Sequence, residues 1–175
     1  MNDPSTRPDN ETPRPSPDRL AWLDLEMTGL DPACDVILQA ALIITNDQLE
    51  VLEEASFDIW QPEAALQVMT PFVRDMHDKN GLLSRVRASR IDTLAAQREL
   101  LGIVARWCSY PATLCGNSIW SDRKFIDRYM PAFSGYLHYR MVDVSSLKVL
   151  AARWFGSEAQ FVKPAQGEHD ALVDI

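Results

Sequence analysis

The chain has 175 residues, 46% of them hydrophobic, enough for one compact domain with a sizeable core. Its formal net charge of −8 excludes the basic footprint with which proteins grip long duplexes, leaving a ligand that is not nucleic acid, or a short one met through bound metal. No apolar run approaches the ~20 residues that a membrane helix needs.

Residues 1–18 carry five prolines and no large apolar side chain after Met1. Such a stretch cannot bury enough surface to offset its ordering entropy, so a disordered Pro-rich tail is expected there, followed by one domain over 19–175. The tail lacks the apolar centre of a secretory signal, and Asp3, Asp9, Glu11 and Asp18 argue against a transit peptide. Leu20 to Met27 is a mostly apolar run and reads as a buried strand. Gly29 with Asp31-Pro32 makes a turn. Val36 to Ile44 and Val51 to Trp60 read as two further strands, joined by a turn at Asn46-Asp47, so an antiparallel meander is expected.

From Pro62 to about Cys108 the pattern is helical, with Pro71 suited to a first helical turn. The longest helix is expected over Ile91 to Trp107, with Leu94, Leu101, Val104 and Trp107 facing the core. Thr113 to Gly116 reads as a short strand, Asp122 to Tyr129 as a helix ended by Pro131, and Arg140 to Val144 as a strand. Ser145 or Ser146 is expected to cap a helix that runs to Trp154. A loop over Glu158 to Gly167 precedes a last helix that starts near Glu168. Alternating helices and strands place the chain in the α/β or α+β class. Cys34, Cys108 and Cys115 are odd in number and have no CxxC spacing, so they read as small buried hydrophobes in a reducing compartment.

The chemistry begins at Asp24-Leu25-Glu26. Residues i and i+2 of a strand point to one face, so two carboxylates project side by side from an apolar strand. They repel each other and lose hydration there. A divalent cation such as Mg²⁺ or Mn²⁺ removes both costs; a solvent-exposed face would remove them equally well. A phosphatase-like aspartyl nucleophile motif fits poorly, because it wants a second Asp where Glu26 stands. Asp122 alone is an ordinary acid at a helix start. His169 alone is a polar-loop histidine, but Asp174 follows it five residues later on a helix.

Together, an Asp-x-Glu on the first strand, an Asp midway and a His-x4-Asp near the end resemble the DEDDh exonucleases, in the ribonuclease H-like group that includes proofreading domains. Residues 22–31 (WLDLEMTGLD), 115–118 (CGNS), 122–131 (DRKFIDRYMP) and 138–148 (HYRMVDVSSLK) resemble the oligoribonucleases in particular. The resemblance extends over Leu20 to Ile175. It implies a ribonuclease H-like mixed β-sheet flanked by α-helices, and a small cytoplasmic homodimer that trims very short RNAs, dinucleotides above all, from the 3′ end. Two divalent cations, Mg²⁺ or Mn²⁺, would be held by Asp24, Glu26, Asp122 and Asp174, with His169 as general base. Ser118, Arg140, Ser145 and Ser146 match residues that grip a 5′ phosphate; for the serines, helix capping is the competing role. Leu30 and Phe72 match the positions that sandwich the bases, with Phe72 standing where many relatives carry Trp. His77 matches a substrate contact. His138 and Tyr139 match an interface element that reaches into the neighbour's site, with plain packing as the other role. Relatives continue for a dozen or more residues past the last Asp; here the sequence stops one residue after Asp174, which leaves that helix cut short. A broader exonuclease acting on longer DNA or RNA, and a non-catalytic nucleotide-binding module, are the alternatives.

Overall fold

The computed structural model describes residues 13–156 and 171–175, apart from the side chains of Val173 and Asp174. Strands β1 (Leu20–Met27), β2 (Ile37–Thr45) and β3 (Val51–Asp58) form the expected antiparallel meander. Asn46 shapes its second turn, its Oδ1 accepting the N–H groups of Gln48 and Glu50. Strand β4 (Ala112–Gly116) then runs parallel to β1, and β5 (Leu137–Asp143) parallel to β4. The sheet order is β3-β2-β1-β4-β5, a mixed sheet. β2 is buried along almost its whole length, which matches its unbroken apolar sequence.

Eight helices are described: α1 (Glu63–Leu66), α2 (Pro71–Lys79), α3 (Leu82–Ala88), α4 (Thr93–Trp107), α5 (Trp120–Tyr129), α6 (Pro131–Tyr136), α7 (Val144–Phe155) and α8 (Ala171–Asp174). The main core joins Ala21, Leu23 and Leu25 of β1 to Leu100, Val104 and Trp107 of α4 and Phe125 of α5. A smaller cluster holds Leu66, Leu82, Leu83 and Val86 of α1 and α3 against Leu38. Because odd residues of β1 fill the core, Asp24 and Glu26 face the other side of the sheet. Helix α8 packs against β1, β2 and β3. The Ala171 N–H donates to Gln39 Oε1, and Gln39 stands directly across from Glu26, so α8 lies on the carboxylate face.

Several boundaries differ from the sequence reading. Ser16 is already engaged, exchanging backbone hydrogen bonds with Trp107 and Ser109, so ordered structure begins inside the expected tail; residues 1–12 lie outside the described set. Helix α4 starts at Thr93 because Asp92 caps it, accepting the Ala95 N–H at 2.7 Å. Its core face is Ala96, Leu100, Ile103, Val104 and Trp107, while Leu94 is 51% exposed. Of the four residues expected to face the core, Val104 and Trp107 are buried and Leu101 packs against it, and Leu94 alone falls outside. Pro131 does not merely stop α5; it opens α6 as its first residue. The expected loop over 158–167 lies outside the described residues. Among the described residues, no helix is long and apolar enough to cross a membrane.

Candidate active site

Strand β4 pairs with β1 only as far as Trp22–Cys115. Beyond that point the β1 edge is open, and α5 fills it with one carboxylate: Asp122 Oδ1 accepts the Leu25 N–H at 3.1 Å. Gly116 permits this approach, since a Cβ there would lie 2.6 Å from the Leu23 carbonyl oxygen. Asp122 is thereby fixed beside the Asp24-x-Glu26 pair although it lies 97 residues from Leu25.

Asp122 is only 5% exposed. Burial, and after it the nearby Asp24 carboxylate, push its carboxyl up to about 8; its own amide, the Leu25 amide and, in the raising direction, Asp143 act more weakly. A buried acid held next to further carboxylates is what an all-oxygen cation site looks like before a cation neutralises it. The donor set therefore fits a hard divalent ion. Among the described residues, no group of three acidic, His or Cys side chains is close enough together to hold an ion. His169, with its neighbours Glu168 and Asp170, lies outside the described residues, and so does the side chain of Asp174; the backbone of α8 carries Asp174 on the carboxylate face.

His77 of α2 is completely buried. Its Nε2 donates to the Met27 carbonyl at 2.9 Å, and its Nδ1 lies 3.9 Å from Glu26 Oε2. The structure thus places His77 beside Glu26, at the end of β1.

Leu30 and Phe72 are 82% and 76% exposed, which is unusual for such side chains. Leu30 rides on the Thr28–Asp35 turn just past Glu26. Asp35 ties that turn, Oδ1 accepting from Thr28 Oγ1 at 3.0 Å and Oδ2 from the Asp31 N–H at 2.9 Å. Tyr129 Oη lies 2.6 Å from the Asp35 carbonyl oxygen and pins the turn to α5. Phe72 follows Pro71 at the start of α2, where Thr70 caps the helix by accepting the Val73 N–H.

The hydroxyl cluster gathers around a residue that the sequence reading passed over. Asp143, and neither Ser145 nor Ser146, is the cap of α7. Its Oδ1 accepts the Ser145 N–H at 2.8 Å, the Ser145 hydroxyl at 2.6 Å and the Ser118 N–H at 2.9 Å. Burial alone would raise its pKa, but the Ser145 hydroxyl and the amides of Ser145, Ser118 and Ser146 hold it below the usual carboxylate range. An Asp one residue before the helix, followed by Val-Ser-Ser, was the available signal. Arg140 and Tyr139 project from the edge strand β5, with the Arg140 guanidinium carbon 5.2 Å from the Tyr139 ring centroid. Tyr139 stacks on His138, their ring centroids 4.4 Å apart.

The sequence family described as Exonuclease (RNase_T) matches residues 21–175. The oligoribonuclease of Azoarcus sp. (strain BH72) is 44% identical over 161 residues, 91% of this chain and 88% of its own. That of Alkalilimnicola ehrlichii is 46% identical over 159 residues, covering 89% of this chain and 81% of its own, and that of Coxiella burnetii is 44% identical over 163 residues. Among solved structures, E. coli Exonuclease I in complex with a dT13 oligonucleotide superposes with a TM-score of 0.65 at 15% identity over 90% of this chain. A second complex, with a 5cy-dT13 oligonucleotide, gives a TM-score of 0.68 at 17% identity. The chain spans 38% of the length of that exonuclease, and the likeness shows the shared ribonuclease H-like fold. With this fold, with a matching domain from Ala21 to the last residue, and with identity above two-fifths over nearly the whole length of its relatives, the chain belongs to the oligoribonucleases of the exonuclease family.

Proposed function

We propose that the protein hydrolyses very short RNAs, dinucleotides in particular, from the 3′ end to nucleoside 5′-monophosphates, using two divalent cations, Mg²⁺ or Mn²⁺. The observation that carries this reading is Asp122: buried, bonded to the Leu25 amide, and raised to about 8 beside Asp24. Asp24, Glu26, Asp122 and Asp174 would hold the cations. When bound, two such cations supply an acidified water and charge stabilisation of the leaving 3′ oxygen. His169 takes the proton of the attacking water, a task suited to an imidazole with an ordinary pKa of ~6.5. His77 keeps Glu26 in place from beside it. Leu30 and Phe72 offer two exposed apolar surfaces to the bases. Arg140, Ser118 and Ser146 hold the 5′ phosphate by charge-assisted and neutral hydrogen bonds, and Ser145, whose hydroxyl proton goes to Asp143, lines the same pocket.

The reading includes a homodimer in which Tyr139 and His138 complete the partner's site. It is supported by the exposed apolar side chains of α7, namely Leu147, Val149, Leu150, Trp154 and Phe155, beside exposed Tyr139. A reducing, cytoplasmic setting belongs to the same reading; of the three cysteines expected to be buried, Cys108 and Cys115 are, whereas Cys34 is exposed on the Thr28–Asp35 turn.

A pocket that closes on a 5′ phosphate at one end, with the scissile bond at the carboxylates at the other, fixes substrate length. Hydrolysis of 5′-phosphorylated RNAs two to ten nucleotides long, with Mn²⁺ or Mg²⁺, tests this. The highest kcat/KM is expected for the dinucleotide, with a drop at each added nucleotide. Equal or better rates on the ten-nucleotide RNA, or on long DNA, would favour a broader exonuclease, the reading that the fold shared with Exonuclease I keeps open.

A further inference from the structure

Asp143 makes more hydrogen bonds than a helix cap requires. Capping α7 uses the amides of Ser145 and Ser146. The bond from the Ser118 N–H is additional, and it crosses 25 residues to reach the loop between β4 and α5. Ser118 needs such a bond. Its φ is +55°, the left-handed region that a serine enters only at a steric cost. Two residues later α5 begins, and the Ser118 carbonyl accepts the Ser121 N–H, so the conformation of Ser118 also sets the first turn of that helix. One carboxylate oxygen therefore joins the end of β5, the start of α7 and the loop that leads to Asp122.

The same oxygen decides how an incoming anion can be held. The amides of Ser118, Ser145 and Ser146 are already engaged by Asp143, as is the Ser145 hydroxyl proton. A phosphate must then be met by side chains: the Arg140 guanidinium and the hydroxyls of Ser118 and Ser146. Hydroxyls on short side chains point where their backbone points them.

We propose that Asp143 is the positioning residue of the 5′-phosphate pocket, fixing Ser118 in its left-handed conformation so that its hydroxyl faces the phosphate together with Arg140. The proposal rests on the phosphate-holding reading of Ser118 and Arg140 given above. Asp143 itself touches no substrate. Its removal frees Ser118 to leave the left-handed region, and the preference for a phosphorylated end goes with it.

The test is the ratio of kcat/KM for a 5′-phosphorylated dinucleotide to that for the same dinucleotide with a 5′ hydroxyl. It is measured in the wild type and in Asp143→Asn, Asp143→Ser and Asp143→Ala. Asn keeps an acceptor oxygen at the same reach, so Asp143→Asn should hold the ratio within ~3-fold of wild type. Ser still caps a helix but is too short to reach the Ser118 amide. Asp143→Ser and Asp143→Ala should each lower the ratio at least ~10-fold, because the remote phosphate then contributes less of its binding energy. A merely structural role would lower both rates together and leave the ratio alone. If Asp143→Ala does not fold, Asp143→Ser carries the test, since it retains the cap. A wild-type ratio preserved in Asp143→Ser overturns the positioning role while leaving the phosphate pocket standing. A wild type with no preference for the 5′ phosphate removes the pocket itself, and the proposal with it.

Discussion

Asp122 shows how one carboxyl can oppose stability and serve chemistry. Its folded pKa, about 8, stands above the ordinary 3.8. A group raised in this way favours the folded state while protonated; that contribution is whole below about pH 3.8 and is lost as the pH rises through about 8. The metal-free protein should therefore melt at falling temperature between pH 5 and 8. Asp122→Asn keeps an oxygen for the Leu25 amide and carries no charge, so its metal-free melting curve should be flatter with pH and lie a few degrees higher near pH 7.5. The same substitution should cut turnover at least ~10²-fold, from the several kcal/mol that a held cation supplies. Thermal melts in EDTA over this pH range, beside an RNA hydrolysis assay, check both. Identical slopes in the two proteins would mean that another group causes the loss. At the other side of the chemistry, His169→Ala should slow hydrolysis ~10²–10⁴-fold, while Glu168→Gln and Asp170→Asn remain mild. An Asp170→Asn variant as inactive as Asp174→Asn would reassign the carboxylate. Asp24 and Glu26 were legible in the sequence because strand alternation is local. Asp122 was not legible on its own, since its meaning comes from an amide 97 residues away. Asp143 was passed over because two hydroxyl residues close behind it fit the same capping rule.

At the scale of elements, the site depends on where β4 stops. Gly116 ends the strand with its Cα close to the Leu23 carbonyl, and α5 uses the opening to bring in Asp122. Gly116→Ala would force a methyl group to 2.6 Å from that oxygen and to 2.8 Å from Ile119 Cδ1. Overpacking of this kind costs ~1–3 kcal/mol, which lowers Tm by ~3–10 °C in a chain of this size. Activity should fall further than stability, because displacing α5 moves a ligand carboxylate. A Gly116→Ala protein with wild-type Tm and rate would show that β1 and β4 can separate freely. The turn that carries Leu30 makes a second case. Asp35→Ala removes two bonds that shape it, so KM should rise several-fold with a smaller change in kcat, read by steady-state kinetics on a dinucleotide. Strands β1 to β3 were evident from apolar runs and turn residues. The division of the 62–108 region into four helices was not, because its breaks are set by Gly81, Asp92 and packing against two clusters. Helix α6 was hidden by reading Pro131 only as a stop signal, although proline serves equally well as a first residue.

Among the described residues, one edge strand and one helix expose much apolar surface. β5 ends the sheet, Tyr139 on it is 75% exposed, and none of the described side chains of α7 is buried. Leu147, Leu150 and Trp154 follow one another at helical spacing and form a stripe that a second copy of the chain would cover. The acidic balance of the sequence spoke only against long duplexes, and it carried no sign of this surface, because an exposed stripe and a core stripe are written with the same residues. In the proposed dimer, Tyr139 of each subunit serves the carboxylates of the other. This arrangement makes a prediction that no monomeric enzyme can meet. Tyr139→Ala and Asp24→Asn should each be nearly inactive as homodimers. Coexpressed in equal amounts, half of the dimers are mixed. One site of each mixed dimer then joins an intact Asp24 to an intact Tyr139 from the partner. Activity should return to about one quarter of wild type, the share of sites rebuilt by two-fold exchange. Sedimentation should show dimers at micromolar concentration, and Leu147→Asp should shift them toward monomer and abolish the rescue. If Tyr139 instead serves its own subunit, every rebuilt site lacks one of the two groups, and the mixture stays as inactive as its parts.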